Sequence, residues 1–377
     1  VKVLHLFSNW KFTGPADPAM VLATALRETG VEISFAAGRT PAEDRGVMEL
    51  ARERGLPLLE GLQLRKHGQP LPWIHDVRAL RRRLRRREFD LVHCHLPNDH
   101  AIAATAARGT GVPVVRSLYE LEPPARRRER AAARRSSALL PPTDGAARRL
   151  RALLPDRGIE IVTVPPALDR ARFPSTTDRS VREAWEIGAE EFVLGVVARM
   201  QRHRRFPELI EGFRQVAVED AGIHLVILGR GTHQVAVAHE PAARSGVGER
   251  IHFPGYIDPT EYPRALGSFD ALLFLVPGSD GTCRAMREAQ ARGIPVIVSR
   301  RGLLPELILP GESGLLLEED SPEAIAAAIR ELRRDPALRD RLAEGAARHA
   351  SRTFDPAEAA ARVREIYGRC LDRGAAP

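Results

Sequence analysis

The stretch FDALLFLVPGSDGTCRAMREAQARGIPVIVSR, Phe269–Arg300, constrains the fold more than any other part of the chain. Ala271 to Val276 is an unbroken apolar run, which suits a strand buried on both faces of a parallel sheet. It stops at Pro277-Gly278 and gives way to a polar loop, Ser279-Asp280-Gly281-Thr282. A helix carrying Arg284, Arg287 and Glu288 follows, starting near Thr282 and ending at Gly293, and Pro295 to Val298 reads as a second buried strand. Such a β-loop-α-β unit puts the loop and the helix start at the carboxyl end of a strand, where open α/β sheets bind ligands. The unpaired N–H groups of that helix start, with its dipole, favour an anion such as a diphosphate.

At 377 residues the chain is long enough for two α/β domains and too long for one ordinary core. Cys94, Cys283 and Cys370 lie far apart and form no Cys-x-x-Cys, so neither a disulfide framework nor a zinc site is indicated and a reducing cytoplasm is the simple inference. The net charge of +8 rests on arginine, since Lys2, Lys11 and Lys66 are the only lysines among 57 basic residues. That bias fits a high-GC genome. A nucleic-acid partner is the sharper reading of a basic chain, but aromatics are only 5% and no zinc-finger spacing or RNP-like stretch occurs. No apolar run approaches the roughly 20 residues that span a bilayer. The opening VKVLHLFSNW starts like a first strand and not like a signal peptide.

In the first half, strand Val3–Phe7 leads through a loop with Gly14-Pro15 to a helix from about Asp17 to Thr29. This layout lets backbone approach a ligand, or is a simple turn before a helix. Val31 to Ala36 is a second strand, and a helix is expected from Pro41 to about Arg54. The segment HDVRALRRRLRRR, His75 to Arg87, sets Val77, Leu80 and Leu84 on one face among seven arginines. It is either an ordinary surface helix or a cationic one that lies on anionic lipid. Strand Asp90–Leu96 ends in His93, Cys94 and His95, followed by a loop Pro97-Asn98-Asp99-His100. Histidines at i and i+2 share one face of a strand. A metal could use them, with no third ligand obvious in sequence although Asp99 and His100 lie close. Val112 to Val115, Leu139-Leu140 and Ile161 to Val164 complete the strands, with Arg126 to Arg135 and Asp144 to Leu154 helical, and the polar stretch Ser175 to Ser180 is a linker.

The second half restarts with strand Phe192–Val197, the turn Ala198 to Arg205 and a helix from Pro207 to Val218. A cation cluster between a strand and a helix favours phosphate. Strand Ile223–Leu228 ends in Gly229-Arg230-Gly231, a turn that backbone or nucleotide can approach closely, and Ile251 to Phe253 leads to Gly255-Tyr256-Ile257. After the Phe269–Arg300 unit come a strand at Leu315–Leu317, helices from Pro322 and Pro336, and a final helix from about Pro356.

Together these segments resemble the family 4, group 1, retaining glycosyltransferases. Asp280 and Glu288 stand at the spacing of the family's Glu-x7-Glu, with Asp one methylene shorter at the first position. Ala198-Arg199 with Arg204 resembles its Gly-Arg-x4-Lys, with Arg in the lysine's place. The resemblance implies an α/β GT-B fold, two Rossmann-like domains facing across a cleft, with the C-terminal helix crossing back to the first. Residues 1–174, with about 355–377, would form the acceptor side and 175–354 the nucleotide-sugar side. It also implies transfer of a sugar from a nucleoside diphosphate sugar to a hydroxyl of a glycan, lipid-linked or small-molecule acceptor, with no cofactor. The absence of any Asp-x-Asp agrees with a metal-independent reaction. In this reading Arg199, Arg204 and the helix start at Gly281 and Thr282 hold the diphosphate, Glu288 the ribose and Asp280 the transferring sugar. His95 approaches the same sugar with His93 in support. Gly14 faces the donor from the first domain, and Gly229, Tyr256 and Ile257 line the nucleotide. The site is cytoplasmic, with the inner face of the plasma membrane as the surface a basic helix would meet. Rivals are a phosphorylase or epimerase on the same fold, or a non-enzymatic basic protein binding nucleotide or membrane.

Overall fold

The computed structural model describes residues 1–41, 44–155, 158–174, 178–278 and 281–375. The short apolar runs become the strands of two parallel sheets, each in its own compact unit. The first unit takes in Val1–Leu168 and the chain from Phe354 onward, and the second is built from most of the chain between.

The first sheet contains β1 (Lys2–Phe7), β2 (Glu32–Ala37), β3 (Leu91–Cys94), β4 (Val114–Ser117), β5 (Ala138–Leu140) and β6 (Glu160–Ile161), in the order β2-β1-β3-β4-β5-β6. Its helices are α1 (Ala16–Glu28), α2 (Val47–Glu53), α3 (Pro70–Arg85), α4 (Pro97–Ala106), α5 (Arg127–Ala133) and α6 (Asp144–Leu153). Side chains alternate across the strands. Leu4, Leu6, Val92 and Cys94 pack with Leu80, Leu84 and Ile102 of α3 and α4. Val3, Phe7, Ile33, Phe35 and Leu91 pack on the opposite side with Met20 and Leu26 of α1 and with the last helix of the chain. Because β2 and β3 flank β1 on opposite sides, the winding reverses there, and a ligand crevice belongs at the carboxyl ends of β1 and β3.

The second sheet repeats the plan. Its strands are β7 (Phe192–Val197), β8 (Ile223–Leu228), β9 (Ile251–Gly255), β10 (Ala271–Phe274), β11 (Val296–Val298) and β12 (Gly314–Leu316), in the order β12-β11-β10-β7-β8-β9. Between and after them run α7 (Phe206–Ala217), α8 (Glu240–Arg244), α9 (Tyr262–Gly267), α10 (Arg284–Ala291), α11 (Pro322–Arg334) and α12 (Pro336–Thr353). Helix α7 shows why such segments are helical. Phe206, Leu209, Ile210, Phe213, Val216 and Ala217 recur at helical spacing and all enter the core, while Pro207 sits in the first turn where its missing N–H costs nothing. Here the winding reverses between β7 and β10. The last helix, α13 (Pro356–Ala375), belongs to the first unit and packs along α1 through Ala360, Val363 and Ile366.

Four helix boundaries differ from the sequence reading. α2 starts at Val47 and not Pro41, because the Glu49 carboxylate accepts from Gly46 N and Thr40 Oγ1, both at 3.0 Å, and fixes the helix start there. α3 starts at Pro70, ahead of His75, since prolines fit the first turn. Residues 97–100, expected as loop, open α4, with Pro97 first and Asp99 accepting from the N–H groups of His95 and Leu96. α10 starts at Arg284 behind Cys283, whose φ of 47° is left-handed, so Thr282 precedes the helix. Of the expected linker, 175–177 fall outside the described residues. Asp178 is already tied to the second unit by Arg264 at 3.2 Å.

Gly195, in the middle of β7, lies under the ring of Phe269; a Cβ there would stand 1.9 Å from the ring's Cδ2. Gly195→Ala must push Phe269 out of its buried position, and is expected to cost about 1–3 kcal/mol in urea unfolding, as overpacking does. A wild-type midpoint would show that the ring moves aside without loss.

Candidate active site

Parallel pairing of β1 with β3 sets His5 directly beside His93, and the pleat points His5 and His93 to the α13 side of the sheet. His95 follows at the strand's end, and all three rings are buried. His5 Nδ1 lies 3.0 Å from His95 Nε2, and His95 Nδ1 lies 2.8 Å from the Tyr119 hydroxyl. His93 Nε2 bonds Ser117 Oγ at 2.9 Å, and its Nδ1 bonds the Tyr367 hydroxyl at 2.5 Å. The direct partner of His95 is therefore His5; His93 only stacks against it, with ring centroids 4.7 Å apart. Burial lowers the His5 pKa to about 3 and holds His93 and His95 well below the usual histidine range, so the rings are neutral. His100, beneath them on α4, is held low in the same way and takes a hydrogen bond from Arg116 at 3.1 Å.

The same three rings answer the question of a third metal ligand, because His5, His93 and His95 each bring a nitrogen within 4.8 Å of the others. Their ring nitrogens already pair with one another and with hydroxyls, which makes the cluster a closed hydrogen-bonded set. Gly14 stands half-buried in the loop between β1 and α1, above the same strand ends.

At the second unit's reversal, the loop after β7 carries exposed Arg199 and half-buried Arg204. Arg204 Nη1 donates to the Val276 carbonyl at 2.6 Å, which joins the loops that follow β7 and β10. Gly229 and Gly231 pack against this same loop: a Cβ at Gly229 would lie 2.3 Å from the Ala198 carbonyl oxygen, and one at Gly231 2.0 Å from that of Met200. The close approach these glycines permit is thus of backbone to backbone. Tyr256 is exposed and Ile257 half-buried in the turn after β9; half-buried Gly281, with φ 68°, and buried Thr282 are grouped with the first unit and not, as the sequence reading had it, with the second. Asp280 lies outside the described residues. Glu288 is buried on α10, where its carboxylate accepts from the Tyr262 hydroxyl at 2.9 Å and lies 3.4 Å from Arg284 Nε. Burial, and next the Glu288 charge, hold the Tyr262 phenol well above its ordinary pKa, so it remains a donor. The carboxylate read for a ribose already has two protein partners.

The sequence model described as "Glycosyl transferases group 1" matches residues 178–349, and that described as "Glycosyltransferase Family 4" matches residues 19–172, nearly the whole chain between them. This chain belongs to the group 1, family 4 glycosyltransferases. A curated relative from Nocardiopsis dassonvillei, a D-inositol 3-phosphate glycosyltransferase, is 26% identical and is covered over 89% of its length by 94% of this chain. Among solved structures, HepE from Anabaena in complex with UDP and glucose superposes with a TM-score of 0.81 at 18% identity, over 98% of this chain and 99% of that one. A putative UDP-N-acetylglucosamine 2-epimerase from Listeria monocytogenes shares the fold at a TM-score of 0.71 and 16% identity, over 99% of this chain and 97% of that one. The fold is GT-B, and it alone does not choose among chemistries.

For this glycosyltransferase, sequence reasoning overlooked His5, Tyr119, Tyr262 and Tyr367. The signal for His5 was a lone polar residue inside the apolar run Val3–Phe7. The signal for Tyr367 was a phenol on a core stripe, since a buried Tyr hydroxyl needs a partner.

The four neutral histidines make stability depend on pH. Unfolded, each titrates near its ordinary 6.5; folded, each stays neutral to far lower pH. Their contribution is fully present above pH 6.5 and is lost as pH falls below it. Asp99 opposes them, because burial raises it from 3.8 to about 7 and it then favours the folded state at lower pH. The lowered histidines outnumber the one raised carboxyl, so urea midpoints should fall clearly between pH 7.5 and 5.5. A level profile would contradict the neutral, buried cluster.

Proposed function

We propose that the protein transfers a sugar from a nucleoside diphosphate sugar to a hydroxyl acceptor, with retention at the anomeric carbon and without a metal. The observation that carries this reading is the pair Arg199 and Arg204 at the reversal point between β7 and β10, with Arg204 bonded across to Val276. Fixed cations at the carboxyl ends of strands stabilise charge that grows on a departing diphosphate, and such preorganised electrostatics often dominates catalysis. The UDP held by HepE supports a nucleotide donor, and the names of the relatives support a polyol phosphate among the acceptors to be tried, beside glycans and lipid-linked sugars. In this reading the second unit holds the donor and the first, with α13, receives the acceptor.

Within that reaction Asp280 orients the transferring sugar and Glu288 the ribose, with Gly281, Thr282, Tyr256 and Ile257 around the nucleotide. His95 acts on the sugar by exchanging the Tyr119 hydroxyl at its Nδ1 for one of the sugar's. Gly14 gives backbone access beside it.

Arg199→Ala and Arg204→Ala should each weaken UDP binding by about 1.5–3 kcal/mol in calorimetry, the worth of a hydrogen bond to a charged group. Asp280→Ala and His95→Ala should lower kcat more than UDP affinity, and Glu288→Ala should do the reverse. Turnover, followed as acceptor-dependent UDP release, should persist in excess EDTA. Unchanged UDP affinity in both arginine variants, or activity abolished by EDTA and restored by magnesium, would refute the leaving-group assignment; UDP release with water as the only acceptor would favour a hydrolysing epimerase, and phosphate-dependent turnover of a glycoside with no UDP released would favour a phosphorylase.

We also propose reversible contact with anionic membranes through α3. Leu71 and Ile74 in its first turns are exposed, as are Arg78, Arg82, Arg85 and Arg86, while Val77, Leu80 and Leu84 face the core. No described helix is long and apolar enough to cross a membrane. Each basic residue at such a surface contributes about 1 kcal/mol, and salt screens it. The protein should sediment with anionic liposomes at low salt and be released at high salt; no sedimentation at low salt would leave α3 as a plain surface.

A further inference from the structure

Six buried side chains of the first unit form an unbroken file of hydrogen bonds. Ser117 Oγ meets His93 Nε2 at 2.9 Å, and His93 Nδ1 meets the Tyr367 hydroxyl at 2.5 Å. The same hydroxyl meets His5 Nε2 at 3.2 Å, His5 Nδ1 meets His95 Nε2 at 3.0 Å, and His95 Nδ1 meets the Tyr119 hydroxyl at 2.8 Å. A neutral imidazole has one N–H and one bare nitrogen, and a phenol has one proton to give. These counts leave little freedom.

Tyr367 donates either to His93 or to His5. If it donates to His93, then His93 gives its Nε2 proton to Ser117, and His5 must give its own Nε2 proton to Tyr367. The bare Nδ1 of His5 then accepts from His95 Nε2, and His95 Nδ1 is bare. If Tyr367 donates to His5 instead, every bond reverses and all three rings carry their proton on Nδ1. One phenolic proton therefore decides three tautomers together. The 2.5 Å contact is short even for an O–H donor, whereas 3.2 Å is at the long end for an N–H donor, which favours the first arrangement.

We propose that Tyr367, on the C-terminal helix, is a positioning residue that fixes the tautomer of His95 through His5 and leaves His95 Nδ1 bare to accept from a sugar hydroxyl. The proposal rests on the reading that His95 acts on the transferring sugar. Its physical basis does not, because the file exists whatever the reaction. A bare Nδ1 accepts a hydrogen bond from a hydroxyl in line with it; the opposite tautomer would offer a donor and present the wrong partner to the same group. Tyr367 touches neither sugar nor nucleotide in this role.

The test is nitrogen NMR on protein labelled in its histidine rings, since protonated and bare ring nitrogens have well-separated shifts. Wild type should show His5, His93 and His95 neutral and all protonated on Nε2. Tyr367→Phe keeps the ring but removes the proton, and should mix the His95 tautomers and lower kcat about two- to tenfold, at unchanged donor KM and UDP affinity, as loss of an interaction made in the transition state does. Ser117→Ala ends the file without touching the choice made at Tyr367, and should leave His95 on Nε2. Rings of unlike tautomer in wild type would overturn the proposal, as would mixed tautomers in Tyr367→Phe with kcat unchanged. One zinc per purified chain, bound by nitrogens that can then carry no proton between them, would also overturn it. A wild type inactive toward every nucleotide sugar would count against the proposed reaction instead, and the NMR result would stand by itself.

Discussion

Three imidazoles packed side by side at the join of β1 and β3 can stay there only if they are uncharged and if every ring nitrogen has a partner. Taking a charge out of water costs far more than any single hydrogen bond returns, and an unpaired buried nitrogen costs about 1–3 kcal/mol. The parallel register puts His5 next to His93, and no side-chain movement undoes that. Partners must therefore come from elsewhere in the fold: Ser117 at the end of β4, Tyr119 just after it, and Tyr367 from a helix more than 250 residues away in sequence. The position of α13 follows from this demand as much as from its apolar stripe.

The second unit meets the same constraint with a guanidinium. Arg182 is almost wholly buried, yet its nitrogens reach the carbonyls of Ser268, Ala189 and Glu191 and the Asp270 carboxylate at 2.8 Å. A buried cation so completely surrounded fixes the start of the unit against the turn before β10. The loop after β7 then hangs from a strand whose start this guanidinium holds through the Glu191 carbonyl, the kind of support that the proposed diphosphate contact calls for.

Most of the fold was legible in the sequence because it rests on local signals. Continuous apolar runs marked β7 and β8 to the residue, and the spacing Phe206, Leu209, Ile210, Phe213 marked α7. What escaped rests on nonlocal or nearly cancelling terms. α2 begins at Val47 because Glu49 happens to satisfy Gly46 and Thr40, a competition that composition cannot rank. Residues 97–100 look like a loop until Asp99 is seen to collect backbone N–H groups from β3's end. The arginines of the turn after β7 were visible because a cation cluster between a strand and a helix is a local pattern. His5 was not, since its significance lies wholly in which strand stands beside it.

The placement of α13 has a further consequence, for the order in which the chain becomes a protein. Val363, Ile366 and Tyr367 complete the core of the first unit, and Leu168 N bonds the Phe354 carbonyl where that unit's two chain segments meet. On the ribosome, where domains generally fold as units from the N-terminus, the first unit cannot finish first. It must wait, with the faces of α1 and β1 uncovered and three imidazoles lacking a phenol, until the second unit and then α13 have been made. Of the two units, the one whose strands are made first is the one sealed later.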